Sequence, residues 1–264
     1  MGRAVPNRIR ILTVIAGLAL LPGCNERVLL EKEAPALARA NLHADRIAIA
    51  GVVSDVAALG DSAENRARWS LLIESHLGRE RFGKLPIVSF SEVQGVLGRD
   101  EHGLLLDRYK DDGGCDAAVL ADLHTVLDDR ARFLVFANIQ DDQVERSESV
   151  TEIVDNKTKK TTSKTKTMTT SRTTWVRLRF YDLSDQQLVW EHLAVGQSST
   201  KKDHDMTDVI EHDPKEGFLS GLITSIANSA LKPEPQYPPA PELEGCLADA
   251  FDDVGAYLKP SKKK

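Results

Sequence analysis

The chain has 264 residues, with 34 Lys and Arg against 40 Asp and Glu, for a formal net charge of -6. An acidic chain of this kind is a poor general binder of phosphate backbones, so no nucleic-acid partner is expected. It also contains no Gly-rich phosphate loop, no Gly-x-Ser-x-Gly, no His-Glu-x-x-His and no closely spaced cysteine pair, so the sequence announces neither an enzyme nor a cofactor.

The N-terminus has three parts: a basic start with Arg3, Arg8 and Arg10, an apolar run over residues 11–21, and the tetrapeptide Leu21-Pro22-Gly23-Cys24. The apolar run is too short to span a bilayer and has the proportions of a secretory signal. The tetrapeptide resembles the lipobox of bacterial lipoproteins, although Pro22 stands where that family favours a small or β-branched residue. The resemblance implies lipidation of Cys24, removal of the signal peptide 1–23, and a membrane attachment through the lipid alone. It further implies a cell-envelope location facing the periplasm. Asn25 is not the aspartate associated with inner-membrane retention, which favours the outer membrane. Without residues 1–23 the chain keeps 31 basic and 40 acidic side chains. In an oxidising compartment Cys115 and Cys246 have the option of pairing, provided that the fold brings them together.

Residues 24–44 are charged and alanine-rich, which suits a tether or loose helix. Residues 46–53 (RIAIAGVV) read as a buried strand. Ser62 is placed to cap a helix over 63–77, with Trp69, Leu72, Ile73 and Leu77 at helical spacing. Residues 84–90 predict a short strand, and Ser91 the start of a helix ending near Gly98. Further helices are expected at 103–110 and 116–128 on either side of Gly113-Gly114, and then a strong strand at 133–139. In 175–181, Val176, Leu178 and Phe180 alternate with Arg177 and Arg179, the period of a half-buried strand. A turn at 182–187 returns the chain as a partner strand over 188–196. Residues 217–231 form an amphipathic pattern, 233–241 hold five prolines and read as an extended connector, and 242–258 predict a last helix before a basic tail. The sum is an α/β fold: one mixed sheet over 45–231 with flanking helices.

This order of elements, with the phrase VRLRFYDLSDQQLVW near its end, resembles the periplasmic domain of bacterial envelope lipoproteins. The penicillin-binding-protein activator lipoproteins and the curli secretion lipoprotein are the examples. The likeness implies a fold more than a function.

Between the strands at 133–139 and 175–181 lies a segment far longer than an ordinary hairpin loop. Residues 141–155 hold six acids and one base, whereas 157–172 hold six bases and no acid. Folding back at Lys157 sets Asp155 opposite Lys159, Glu148 opposite Lys166, Asp142 opposite Arg172 and Leu134 opposite Phe180. Opposed charges favour a paired ribbon over 141–173, and the threonines favour extended backbone. A polar, unstructured loop is the other reading, because an isolated two-stranded ribbon is marginal in water. Composition speaks against a lipid-inserted hairpin, since a lipid-facing strand needs alternate apolar residues and the second arm offers only Met168 between Lys157 and Thr174. Its remaining aliphatic residues, Val144, Val150, Ile153 and Val154, have polar neighbours, so the segment is expected to be dispensable for folding.

One group has metal-ligand spacing: His204, Asp208 and His212 stand four apart and would share a helix face. A solvated acidic connector is the plainer reading of the same residues, so no metal is expected. Cys115 follows two glycines without a histidine tied to it, as an ordinary helix-start cysteine does. Two function classes follow. One is a non-catalytic, lipid-anchored envelope module that binds a protein partner, of unstated oligomeric state. The other is a metal-binding or hydrolytic periplasmic protein using His204, Asp208 and His212.

Overall fold

In the computed structural model the described residues are all except 1–27, 34–41, 43, 80–84, 128–129, 155–160, 207–235 and 260–264. The apolar runs form the centre of a six-stranded mixed sheet. Its strands are β1 (Val28–Glu33), β2 (Ile47–Ser54), β3 (Ile87–Val88), β4 (Phe133–Val154), β5 (Thr161–Asp182) and β6 (Gln187–Asp205). The spatial order is β1-β6-β5-β4-β2-β3. β2 runs parallel to β3 and β4, and all other pairs are antiparallel. A mixed sheet is the expected outcome when helical crossovers join the first strands and tight turns join the last.

Among the described residues five α-helices flank the sheet: α1 (Ala63–Leu77), α2 (Phe90–Leu97), α3 (Arg99–Asp112), α4 (Ala117–Leu127) and α5 (Leu243–Leu258). Ser62 caps α1 by accepting from the Asn65 amide. The cap of α2 is Ser89 rather than Ser91, because Ser89 and Glu92 close a reciprocal capping box two residues earlier. Trp69, Ile73 and Leu77 of α1, with Leu247, Phe251 and Val254 of α5, bury one sheet face through Val135, Leu178, Phe180 and Trp190. The other face packs Ala48, Leu134, Phe136 and Tyr181 against Leu106 and Tyr109 of α3 and Leu120 and Leu123 of α4. Helices thus cover both faces of the central strands, which is why β2 is buried along its whole length.

Three features depart from expectation. Residues 24–44 are not wholly a tether, since Val28–Glu33 pair with β6 as an edge strand. The final helix is not an appendage outside the domain at 45–231, because Leu247, Ala250, Phe251 and Val254 are fully buried against the sheet. The expected strand at 84–90 contracts to the two residues of β3, since Ser89 already caps the next helix. The helix expected at 217–231 lies outside the described residues.

Register explains a further difference. Leu134 faces Tyr181 rather than Phe180, and Phe180 lies opposite Val135. A slip of one residue transfers side chains to the other face, and Leu134 accordingly packs with Tyr181 on one side while Phe180 packs on the other. A bulge between Ile139 and Asp141 then restores the parity, so that Asp142 lies opposite Thr174.

Candidate functional site

Beyond Ile139, where its pairing with β2 ends, β4 leaves the body and continues to Val154. β5 returns beside it, and β6 extends alongside β5 until Asp205 lies opposite Thr165. The ribbon therefore has three strands rather than two. At about 3.4 Å per residue its β4 arm, residues 141–154, reaches roughly 45 Å. A third strand supplies the pairing that a lone hairpin lacks and accounts for order in so polar a sequence.

Two of the expected charge pairs form, although their register differs, while Asp155 and Lys159 lie outside the described residues. Arg172 binds Asp142 through Nε and Nη2 at 2.8 and 2.7 Å, Lys166 reaches Glu148 at 2.7 Å, and Lys164 reaches Glu152 at 2.7 Å. Direct partners are Asp142 with Thr174 and Glu148 with Met168, so these first two ion pairs are diagonal. A two-residue offset keeps the same face, and the long cationic side chains span it. Burial opposes ionisation of Asp142, but hydrogen bonds from Arg172 and Thr174 outweigh it and hold the carboxyl below its ordinary range.

The base of the ribbon is tied to the body. Thr170 donates to the Pro238 carbonyl at 2.8 Å, Thr200 to that of Pro239 at 2.7 Å, and Arg172 to that of Pro241 at 3.1 Å. The described end of the proline-rich connector thus lies on β5 and β6. Met168 is 2% exposed, which corrects the expectation that none of the segment's aliphatic side chains is buried. Val144, Val150 and Ile153 remain exposed at 47%, 53% and 60%. Tyr237 donates to Glu148 at 3.0 Å, and Arg146 lies over its ring. On the opposite face, Thr165, Thr167, Thr169, Ser171 and Thr173 form a row of hydroxyls at alternate positions of β5.

Other polar groups belong to the body. Arg66 joins Asp61 and Asp107, and Lys110 joins Asp61, tying α1 to α3. Arg177 and Arg179 both bind Glu191 across β5 and β6. His102 lies against a cleft of about 330 Å³ between α1, α2 and α3, with one ring nitrogen 2.7 Å from the Ala50 carbonyl. That carbonyl accepts only, so this nitrogen carries the proton. None of these places a nucleophile beside a base.

Cys24, the lipidation candidate, lies outside the described residues. Cys115 packs with the α3 and α4 side of the sheet, whereas Cys246 is buried on the α5 side, so the sheet separates them and both are free. Burial, reinforced by Asp116, pushes the Cys115 thiol up to about 12, leaving it protonated and unreactive at neutral pH. His204 belongs to β6, opposite Lys166, so at this position the segment is neither a helix nor a loose connector. Asp208 and His212 lie outside the described residues. Among the described residues no helix is long and apolar enough to cross a membrane.

No family model and no curated protein matches the chain. Solved structures give distant likenesses. Lipoprotein GNA1162 from Neisseria meningitidis is 10% identical, with 70% of this chain and 96% of that one covered and a TM-score of 0.26. The PelC dodecamer from Paraburkholderia phytofirmans is 9% identical, with 88% and 98% covered and a TM-score of 0.33. The hypothetical protein CT253 from Chlamydia trachomatis is 16% identical, with 81% and 96% covered and a TM-score of 0.30. At this distance none of them assigns a role to a residue of this chain.

Proposed function

We propose that this chain is a non-catalytic, lipid-anchored lipoprotein of the bacterial envelope, whose ribbon engages a protein partner in an assembly or regulatory role. The observation that carries the reading is the ribbon itself: an ordered, polar, three-stranded projection whose β4 arm is exposed at every residue from 143 to 153. Most of that surface adds nothing to the core, and a projecting strand edge is a common means of binding another chain. The address rests on Leu21-Pro22-Gly23-Cys24 and the basic, apolar stretch before it. Cys24 precedes β1 by four residues, so a lipid there would hold the sheet within about 14 Å of the bilayer. Outer-membrane attachment is part of the proposal.

The experiment has two arms. In the first, membrane fractionation and mass spectrometry compare the native chain with Cys24→Ala. Acylated Cys24 at a new N-terminus, and loss of the membrane-bound mature form in the variant, are expected. A mature N-terminus without lipid rejects the address. In the second, the lipidated protein is used to capture partners from envelope extracts, with and without the distal ribbon. Partner capture unchanged by ribbon removal rejects the role given to the ribbon.

A further inference from the structure

We propose that two copies of this chain pair edge to edge through the outer side of β4, antiparallel, about a two-fold axis at Ser147. The proposal rests on the ribbon being the interaction element and names its partner as a second copy. Among the described residues no strand pairs the outer edge of 141–152, because β2 stops at Ser54 opposite Ile139. An open edge of this length is normally blunted by proline, by charged side chains and lysine above all, by a bulge or by a covering loop, and along 141–154 the device present is charge, five acids and Arg146. Residues 141–154 (DDQVERSESVTEIV) contain no proline, glycine or lysine, and their pairing with β5 is regular from Asp141 to Ile153.

The side chains specify the register. A two-fold axis normal to the sheet keeps each residue opposite one on its own face, so the axis must pass through a residue. At Ser147 it sets Val144 against Val150, Arg146 against Glu148, Glu145 against Ser149 and Gln143 against Thr151, each pair occurring twice. Both exposed valines gain an apolar neighbour, and both arginines gain a carboxylate. The one like-charged opposition is Asp142 with Glu152, and each already has a counter-ion in Arg172 or Lys164. Moving the axis to residue 146 sets Arg146 against itself, and moving it to 148 does the same to Glu148. At residue 149 the axis sets Glu148 against Val150 and Glu145 against Ile153. Of the axes from residue 146 to residue 149, only that at Ser147 joins charge to countercharge and valine to valine; an axis at Val144 also pairs Arg146 with Asp142, but it overlaps only residues 141–147 of the edge, against 141–153 for Ser147.

A cysteine at the axis would lie directly opposite its own copy, within the Cα separation that a disulfide spans. A cysteine two positions away would be offset from its copy by four residues, roughly 13 Å along the strand. The test compares full-length native protein, Ser147→Cys and Ser149→Cys under mild oxidation, with cross-links located by peptide mass mapping to separate them from the native cysteines. Sedimentation of the native chain and of Arg146→Glu accompanies it. A reversible dimer is expected, with a 147–147 cross-link in Ser147→Cys and little in Ser149→Cys. Arg146→Glu should weaken the dimer by roughly tenfold or more, a change of about 1.4 kcal/mol. A native chain that stays monomeric, or cross-linking at 149 as rapid as at 147, overturns the proposal. If such a monomer still captures a partner through its ribbon, the functional reading survives while self-pairing does not.

Discussion

Arg172 grips Asp142 through two nitrogens although the two residues are diagonal neighbours, and its remaining nitrogen holds the Pro241 carbonyl at the start of α5. The carboxylate is only 7% exposed and the guanidinium 15%. Arg172→Ala would leave that carboxylate buried and unpaired, and is expected to cost about 3 kcal/mol in urea melts. Lysine should not restore it, since one ammonium cannot reproduce a planar fork. With the folded-state pKa of Asp142 depressed, the stabilisation is complete above the ordinary carboxylate range and is lost as pH falls through the folded value. An unchanged melt in Arg172→Ala would show that the grip is incidental.

The ribbon should be separable from the fold at a definable point. Glu148 and Met168 are direct partners, so replacing 149–167 with Asn-Gly joins them by a two-residue turn and retains Met168, Thr170 and Arg172. That variant is expected to melt cooperatively and near the native temperature by circular dichroism. The longer replacement of 143–170 removes the buried Met168 and the Thr170 bond to Pro238. It should lose about 2 kcal/mol or more. Equal stability of the two would mean that the ribbon's base contributes nothing.

His192 is fully buried between Trp190 and Tyr257, stacked on the indole at 4.7 Å, and among the described residues neither ring nitrogen has a hydrogen-bond partner. Burial lowers its pKa from 6.5 to about 4. The unfolded chain therefore binds the extra proton first, so stability is intact above pH 6.5 and falls as pH drops toward 4, by roughly 3 kcal/mol at the limit. His192→Phe keeps the stack and cannot protonate. Its melting temperature should decline less between pH 7 and pH 4.5 than that of the native chain. Parallel declines would place the acid sensitivity elsewhere.

Gly196 lies directly beneath α5, where a Cβ would land on the Cys246 carbonyl, a backbone atom that cannot turn aside. Gly196→Ala is expected to push the helix off β6 and to cost about 3 kcal/mol or more, measurable as a lower urea midpoint. A fold indifferent to this change would require α5 to stand further from the sheet.

Much of the body was legible because its signals are local. The helical spacing of Trp69, Ile73 and Leu77, and the alternation of Val176, Leu178 and Phe180, report burial residue by residue. The charge blocks correctly joined Asp142 to Arg172 and Glu148 to Lys166, because a two-residue error in register leaves the face unchanged. They misplaced Leu134, because the bulge near Gln140 changes parity and nothing in its side chain announces it. The extension of β6 over Lys201, Lys202, Asp203 and His204 was invisible for another reason. Its strand conformation comes from pairing with β5, while its composition is that of a loop. Val28–Glu33 was missed likewise, being an edge strand set among charged residues.

The direction of β1 has a mechanical consequence. Val28 lies beside Ala194 and Glu33 beside Trp190, so the chain enters the sheet from the end at which the ribbon leaves. A pull on the N-terminus along that direction loads the β1–β6 pairing in shear, with its hydrogen bonds strained together rather than opened one at a time. If the chain is tethered by its first residues as proposed, it would be held by the stiffer of the two ways in which a strand can be drawn from a sheet.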